Sequence, residues 1–325
     1  MTLILNQNEV RSLLTMSECI EVVEQAFVEF SEETAVQPLR SNIKSDRGIS
    51  LYMPAYLQNS RSLACKVVSV FNENPEKHDL PAVLGTVLLQ DSETGKVKCI
   101  MDGSYLTAVR TGASSGVATK YLAKDERNMT LGIIGTGVQA EMQVLAVMEV
   151  RSISKVLVFD LNKKAAKDFA TRFKEYPDIE FEILKNVDDI TSADIICTAT
   201  SSPSPVIDGK NIRKGTHVNG IGSHTPTTRE LDSALIKKSY FVGDSKDACF
   251  SEAGDFIIPL VEGTINEEHF KAELGEVINN QKAGRTSKSQ ITVFKSNGLA
   301  VQDAATANLI YQKAISKKIG IEVEI

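Results

Sequence analysis

The chain has 325 residues, 42% of them apolar and 24% charged, with a formal net charge of −6. That composition fits a globular protein with room for more than one core, and the acidic balance argues against nucleic acid or an anionic membrane as the main partner. No apolar run approaches the ~20 residues that span a bilayer, and MTLILNQNEV lacks the basic and apolar regions of a secretory leader, so a cytoplasmic protein is expected. Five cysteines (Cys19, Cys65, Cys99, Cys197, Cys249) and four histidines lie scattered without CxxC or HxxxH spacing. Free thiols and no metal site are expected.

Residues 1–34 read as helical: Thr15 and Glu18 suit a capping box, and Ile20, Val23, Phe27 and Phe30 form one apolar stripe. From about 36 to 101 the pattern shortens to strands, ISLYM (49–53), SLACKVVSVF (62–71), VLGTVLLQ (83–90) and KVKCIM (96–101), the last two flanking DSETG as a hairpin. A helix over 102–122 follows, capped by Asp102 or Ser104, with Ala108, Gly112, Ala113 and Gly116 as a small-residue face that admits a close neighbour. The polar linker AKDERNM (123–129) ends this sheet-rich unit.

The stretch LGIIGTGVQAEMQ (131–143) departs from this pattern. An apolar strand breaks at Gly135 and Gly137, and Val138, Met142, Leu145 and Met148 then recur at helical spacing. In this GxGxxA pattern Gly135 permits the turn, Gly137 lacks a Cβ that would block a pyrophosphate from the helix N-terminus, and Ala140 lets helix and strand pack closely. About 20 residues on, VLVFD (156–160) reads as a second strand ending in Asp160, placed to accept hydrogen bonds from ribose hydroxyls and to repel a 2′-phosphate. NAD is therefore favoured, while Lys163 and Lys164 keep NADP open. The competing reading is a glycine loop that merely turns, with Asp160 capping the next helix.

A helix over 163–176 and the short strands EFEIL (180–184), ADIICTAT (193–200), GTHVNGIG (215–222) and SYFVG (239–243) complete an α/β alternation that implies a parallel, doubly wound sheet. Loops at its strand C-termini should face the cofactor, which points to Thr198 and Thr200 in one loop and Asn219 and Ile221 in another. The final helix, 299–316, with a C-cap around Lys317, Lys318 and Gly320, returns to the first unit. The expected division is residues 1–122 with 299–325 as one domain and 123–298 as the other.

Three sites carry candidate chemistry. Lys66 shares a strand face with Ala64, Val68 and Val70, so its ammonium is desolvated unless it meets an anion, and a desolvated lysine exchanges protons near neutral pH. The alternative is an edge lysine snorkelling to water. Arg40 and Arg110 are candidate carboxylate clamps, with surface salt bridges as the alternative. His224, in GIGSHTPTT, reads either as an acid/base or as a turn histidine.

PLRSNI (38–43), YMPAY (52–56), LACKVVSVFNENP (63–75), LTAVRTGA (106–113), IGTGVQA (134–140), NGIGSHTPTTRELD (219–232), ELGEVI (273–278) and SNGLAVQDAA (296–305) together resemble the ornithine cyclodeaminase/mu-crystallin family. That family includes archaeal-type alanine dehydrogenases and ketimine or pyrroline-2-carboxylate reductases. The resemblance implies a homodimer, with a Rossmann domain inserted in a dimerisation and substrate domain. It implies that Arg40 and Arg110 bind the substrate carboxylate, that Lys66 faces the reacting C–N bond, and that Thr111, Gly135, Thr136, Gly137, Val138 and Asp160 hold the cofactor. Leu51 stands where cyclodeaminases carry an acid, and His224 where they carry an aspartate. An apolar Leu51 suits a small or apolar side chain better than an ornithine ammonium. The expectation is an NAD(P)-dependent oxidoreductase acting on the C–N bond of a small 2-amino or 2-imino acid. Ornithine cyclodeaminase with catalytic NAD, and a non-catalytic crystallin-like binder of dinucleotide or small ligand, are the alternatives.

Overall fold

Asn6 decides how the chain begins. Its side chain accepts from the N–H groups of Asn8 and Glu9, and the Glu9 carboxylate accepts in turn from the Asn6 N–H, so the first helix, α1 (Gln7–Leu13), starts at residue 7. Residues Thr2–Leu5 are left outside it as a strand, β1, which corrects the helical reading of the whole N-terminus. The N-x-x-E pattern of Asn6 to Glu9 is the local signal for that start. The expected capping box of Thr15 and Glu18 does open α2 (Met16–Ser31), which buries Ile20, Val23 and Phe27. Next come β2 (Ala35–Val36), β3 (Ser41–Lys44), β4 (Ile49–Leu57), β5 (Ser62–Val70), α3 (Asn74–Lys77), β6 (Val83–Gln90) and β7 (Val97–Asp102). The β6–β7 pair is the antiparallel hairpin expected across DSETG. Helix α4 (Gly103–Leu122) is capped by Asp102, whose Oδ1 accepts from the Tyr105 N–H at 2.9 Å; Ser104 instead accepts from the Gly85 N–H.

The computed structural model describes all 325 residues, and the chain divides into two compact units. One comprises Met1–Arg110 with Leu299–Ile325, the other Thr111–Gly298. The division falls inside α4, whereas the sequence reading placed it at the linker after Leu122.

The second unit is built on β8 (Met129–Ile134), α5 (Val138–Val150), β9 (Ile153–Phe159), α6 (Lys163–Ala170), β10 (Glu180–Ile183), β11 (Ile195–Thr198), β12 (His217–Gly220), α7 (Ser233–Lys238), β13 (Tyr240–Gly243), α8 (Lys246–Glu252), α9 (Gly254–Val261), β14 (Phe270–Glu273), α10 (Leu274–Ile278) and β15 (Thr292–Lys295). Its strands pair in parallel in the order β10-β9-β8-β11-β12-β15-β13-β14. Two apolar layers cover the sheet, one including Ala140, Val144, Val147 and Phe169, the other Leu231, Leu235, Phe241 and Phe256. Both faces are therefore covered, as a parallel sheet requires. Gly112 of α4 packs so closely on α5 that a Cβ there would lie 2.5 Å from the Met142 carbonyl oxygen, which is what the small-residue face provides. Strand order reverses between β8 and β11, and doubly wound sheets bind ligands at such a point.

The chain then re-enters the first unit as α11 (Ala300–Lys317), which packs on β4, β5 and α2. Lys318 ends it in the left-handed region at φ +56, and β16 (Ile321–Val323) pairs antiparallel with β1. The sheet of this unit runs β16-β1-β7-β6-β5-β4-β2, with β3 also on β4. No helix in the chain is long and apolar enough to cross a membrane.

Candidate functional site

In the second unit, the turn after β8 has the properties of a dinucleotide elbow. Gly135 sits at φ +93, and a Cβ there would lie 2.5 Å from the Ala199 carbonyl oxygen, so only glycine lets the loop after β11 close on the turn. Gly137 is the N-cap residue of α5, and no side chain caps the helix's first-turn N–H groups. A Cβ on Gly137 would meet no protein atom within 4 Å. Uncapped donors at a positive helix end with an open approach fit a pyrophosphate. Thr136 donates to Asp160 Oδ2 at 2.7 Å, and the Asn162 N–H to Oδ1 at 2.8 Å, which fixes that carboxylate at the end of β9. Helix α6 is capped by Asn162 rather than Asp160, so the acid is not explained as a cap.

Glu230, fully buried, ties together the two loops beyond β11 and β12. It accepts from the Thr198 hydroxyl (2.8 Å), the Thr200 N–H and hydroxyl (both 2.7 Å) and the Gly222 N–H (2.6 Å). Thr198 and Thr200 thus use their hydroxyls to shape a loop. Beneath them Lys295 and Asp255 form an ion pair at 3.0 Å, both wholly buried. The Lys295 ammonium also donates to the carbonyls of Gly220 and Ser223, and Asp255 Oδ1 accepts the N–H groups of Glu230 and Leu231 at 2.8 Å each. Asn219 turns inward, donating to the Thr119 hydroxyl at 3.1 Å, and Ile221 is buried beside it. The Thr111 side chain is buried and its carbonyl accepts from Gln143. His224 stands exposed on the turn after β12, its Nδ1 at 3.4 Å from the Gly222 carbonyl oxygen.

In the first unit, Lys66 lies on β5 between Met53 of β4 and Val87 of β6 in register, and only 1% of it is exposed. It does not snorkel. Its ammonium reaches Asp303 Oδ2 of α11 at 2.8 Å, while Asp303 Oδ1 accepts from Arg110 Nε at 2.9 Å and the Gln302 side-chain carbonyl from Arg110 Nη1 at 2.8 Å. Arg110 is likewise buried, so it is no surface ion pair. Burial first, then the Arg110 charge, push the Lys66 ammonium down to about 7 from its ordinary 10.5, with Asp303 opposing and Arg40 adding to the shift. Arg40 is half-buried ahead of β3. Leu51 shares the sheet face of Met53 and lies opposite Val68, two residues along β5 from Lys66.

Sequence reasoning singled out Lys66 and Arg110 but missed the groups that hold them, Gln302 and Asp303, as well as Glu230, Lys295 and Asp255. One signal was available for Asp303: an acid among small residues in AVQDAATA, on a helix face that must be buried. Nothing in the local sequence marks Glu230.

The profile of the ornithine cyclodeaminase/mu-crystallin family matches residues 1–318. The chain is similar to a Delta(1)-pyrroline-2-carboxylate reductase of Bacillus cereus, 39% identical over 326 residues and covering 99% of each chain. Alanine dehydrogenase of Archaeoglobus fulgidus is 36% identical over 323 residues, covering 99% of this chain and 98% of the relative. Among solved structures, that of Thermococcus litoralis Delta(1)-pyrroline-2-carboxylate reductase in complex with NADH and L-proline superimposes with a TM-score of 0.95 at 46% identity, over 99% of this chain and 100% of the other. The chain belongs to the ornithine cyclodeaminase/mu-crystallin family.

Proposed function

We propose that this protein is an NAD-dependent reductase of small cyclic 2-imino acids, with Delta(1)-pyrroline-2-carboxylate as the type of substrate. The observation that carries the reading is the pair of buried cations, Lys66 and Arg110, gathered on Asp303 in a chain so similar to imino- and amino-acid oxidoreductases. Arg110 and Arg40 supply positive charge for the substrate carboxylate, and an arginine fork grips such a group in a defined plane. Leu51 and Met53 offer an apolar surface to a ring without an amine. Lys66, poised near neutral pH, gives its proton to the imine nitrogen as the adjacent carbon is reduced. With Gly135 shaping the turn, the N–H groups from Thr136 to Val138 would hold the pyrophosphate of NAD and Asp160 its ribose hydroxyls, with Thr111 and the loops carrying Thr198, Thr200, Asn219 and Ile221 around them. When bound, the nicotinamide supplies the hydride; the protein supplies alignment and the proton.

The same reading includes a cytoplasmic location and a homodimer; the dimer is supported by β3, exposed along its whole length, and by Val36, Leu39 and Ile43, which are 55%, 74% and 58% exposed near that sheet edge. The test is nicotinamide absorbance with NADH or NADPH against pyrroline-2-carboxylate, piperideine-2-carboxylate, and pyruvate plus ammonia. NADH should be consumed fastest with a cyclic imine. Lys66→Ala should lower kcat by about 10²–10⁴-fold with NADH affinity unchanged. Wild-type turnover in that variant, or no absorbance change across the panel, would overturn the reading. His224→Ala in the same assay separates a turn residue, with kcat unchanged, from a proton carrier.

A further inference from the structure

We propose that Asp303 is a positioning residue for the reaction: its two carboxylate oxygens, carried on the first turn of α11, hold the Lys66 ammonium and the Arg110 guanidinium side by side in a dry site. The proposal rests on the reading that Lys66 exchanges a proton with the substrate nitrogen.

The geometry divides the carboxylate cleanly, with Oδ2 at 2.8 Å from Lys66 Nζ and Oδ1 at 2.9 Å from Arg110 Nε. Two buried cations so placed repel one another, and burying either without an anion is strongly unfavourable. The charged and titratable groups around Lys66 come from several elements. Arg110 comes from α4, Arg40 from the segment before β3, and Asp303 from α11. The strands on either side present Met53 and Val87. Helix α2 contributes Cys19, a thiol against Thr306 that burial pushes up to about 12 and so keeps neutral. Asp303 is the carboxylate of this set. Its place in the first turn of α11 lets the helix dipole stabilise the anion. Gln302 completes the grip by accepting from Arg110 Nη1.

The test compares the wild-type enzyme with Asp303→Asn and Asp303→Glu. Asparagine keeps the shape but removes the charge, so Lys66 should lose its proton about 1–3 pH units lower. In imine reduction, which needs protonated Lys66, the falling limb of kcat/KM moves to lower pH. Each unit of movement lowers activity above the limb about tenfold. In oxidation of the cyclic amino acid, which needs neutral Lys66, the rising limb moves the same way, and activity extends to lower pH. A merely structural role would depress both directions at every pH and move neither limb. Glutamate restores the charge, so its limb should return toward wild type while kcat stays low because the carboxylate is displaced.

A readout independent of turnover is the titration of Lys66 by ¹³C-lysine NMR, its signal assigned by loss in Lys66→Met. A titration displaced to lower pH in Asp303→Asn supports the proposal; an unmoved one overturns it. Should that variant not fold, Arg110→Gln reads the same cluster with opposite sign, since Lys66 relieved of the competing cation should keep its proton to higher pH. An unmoved titration there also overturns the proposal. If the wild-type enzyme reduces no imino acid, the functional reading fails. If it does so and the Asp303→Asn limbs stay fixed, the positioning role fails alone.

Discussion

Replacing Glu230 by glutamine isolates what one carboxylate does for two loops. One of its oxygens accepts from the Thr200 N–H and hydroxyl, the other from the Thr198 hydroxyl and the Gly222 N–H, all between 2.6 and 2.8 Å. Glutamine has the same shape but one oxygen and one NH₂. The two hydroxyls can rotate to accept from that NH₂, but a backbone N–H cannot reverse. Whichever way the amide is turned, either Gly222 or Thr200 loses its acceptor. The orphaned N–H costs about 1–3 kcal/mol, and the three surviving bonds weaken from charge-assisted to neutral, each by roughly 1 kcal/mol. Burying a neutral group in place of a charge offsets part of this, leaving a net loss of about 2–4 kcal/mol. Urea unfolding followed on the second unit measures that loss, and NADH titration by fluorescence measures its effect on the elbow. The loop that Glu230 anchors carries Ala199, whose carbonyl lies against Gly135, so the NADH Kd should rise roughly tenfold, equivalent to about 1.4 kcal/mol. A Glu230→Gln protein within about 1 kcal/mol of wild type and with the same Kd would show that the carboxylate does not hold these loops.

The two elbow glycines should respond differently. Gly135→Ala places a Cβ against the Ala199 carbonyl at φ +93 and should destabilise the fold by about 1–3 kcal/mol. Gly137→Ala enters open space and should leave stability within about 0.5 kcal/mol while weakening NADH binding; unchanged affinity there would place the pyrophosphate elsewhere. Lys295→Met leaves Asp255 buried and unpaired and should cost about 3–5 kcal/mol in urea unfolding, whereas a loss below about 1 kcal/mol would mean that water reaches the pair. Burial foremost, then the Arg285 charge, hold the His217 imidazole down to about 3 from its ordinary 6.5. The unfolded chain takes up that proton below 6.5 and the folded one only near 3, so this contribution is complete above 6.5 and is lost as pH falls toward 3, by about 1.4 kcal/mol per unit. His217→Asn should flatten that slope between pH 6 and 4; an identical slope would assign the acid sensitivity to other groups.

The parts of the fold legible in sequence are those written in local patterns. The elbow, the hairpin across DSETG and the Thr15 capping box each occupy a few adjacent residues, and all three are present. Strand β1 was lost because TLIL is too short to show a period, and its strand character comes from partners 96 and more residues away, Cys99 to Met101 on β7 and Ile321 to Val323 on β16. The end of the second unit hid β14 for a related reason: FKAE has no apolar run, and its parallel pairing with β13 gives it strand form. Lys66 was visible because a lysine among apolar strand residues violates a local rule. Its partner was not, because Asp303 becomes a counter-ion only when residues 66, 110 and 303 are brought together, and no pattern along the chain encodes that meeting.

The return of α11 to the first unit bears on the order in which the two units fold. Residues 111–298 form an uninterrupted unit, whereas the first unit is split and is complete only when Leu299–Ile325 joins residues 1–110. Until that segment docks, the first unit carries two cations destined for its interior and no anion to receive them, and β1 lacks one of its two neighbours. The inserted unit therefore matures first, and the flanking one stays open to late closure. Pulse proteolysis of purified chains ending at Gly298 should leave a resistant fragment confined to the inserted segment; protection of residues 1–110 in them would contradict this order of folding.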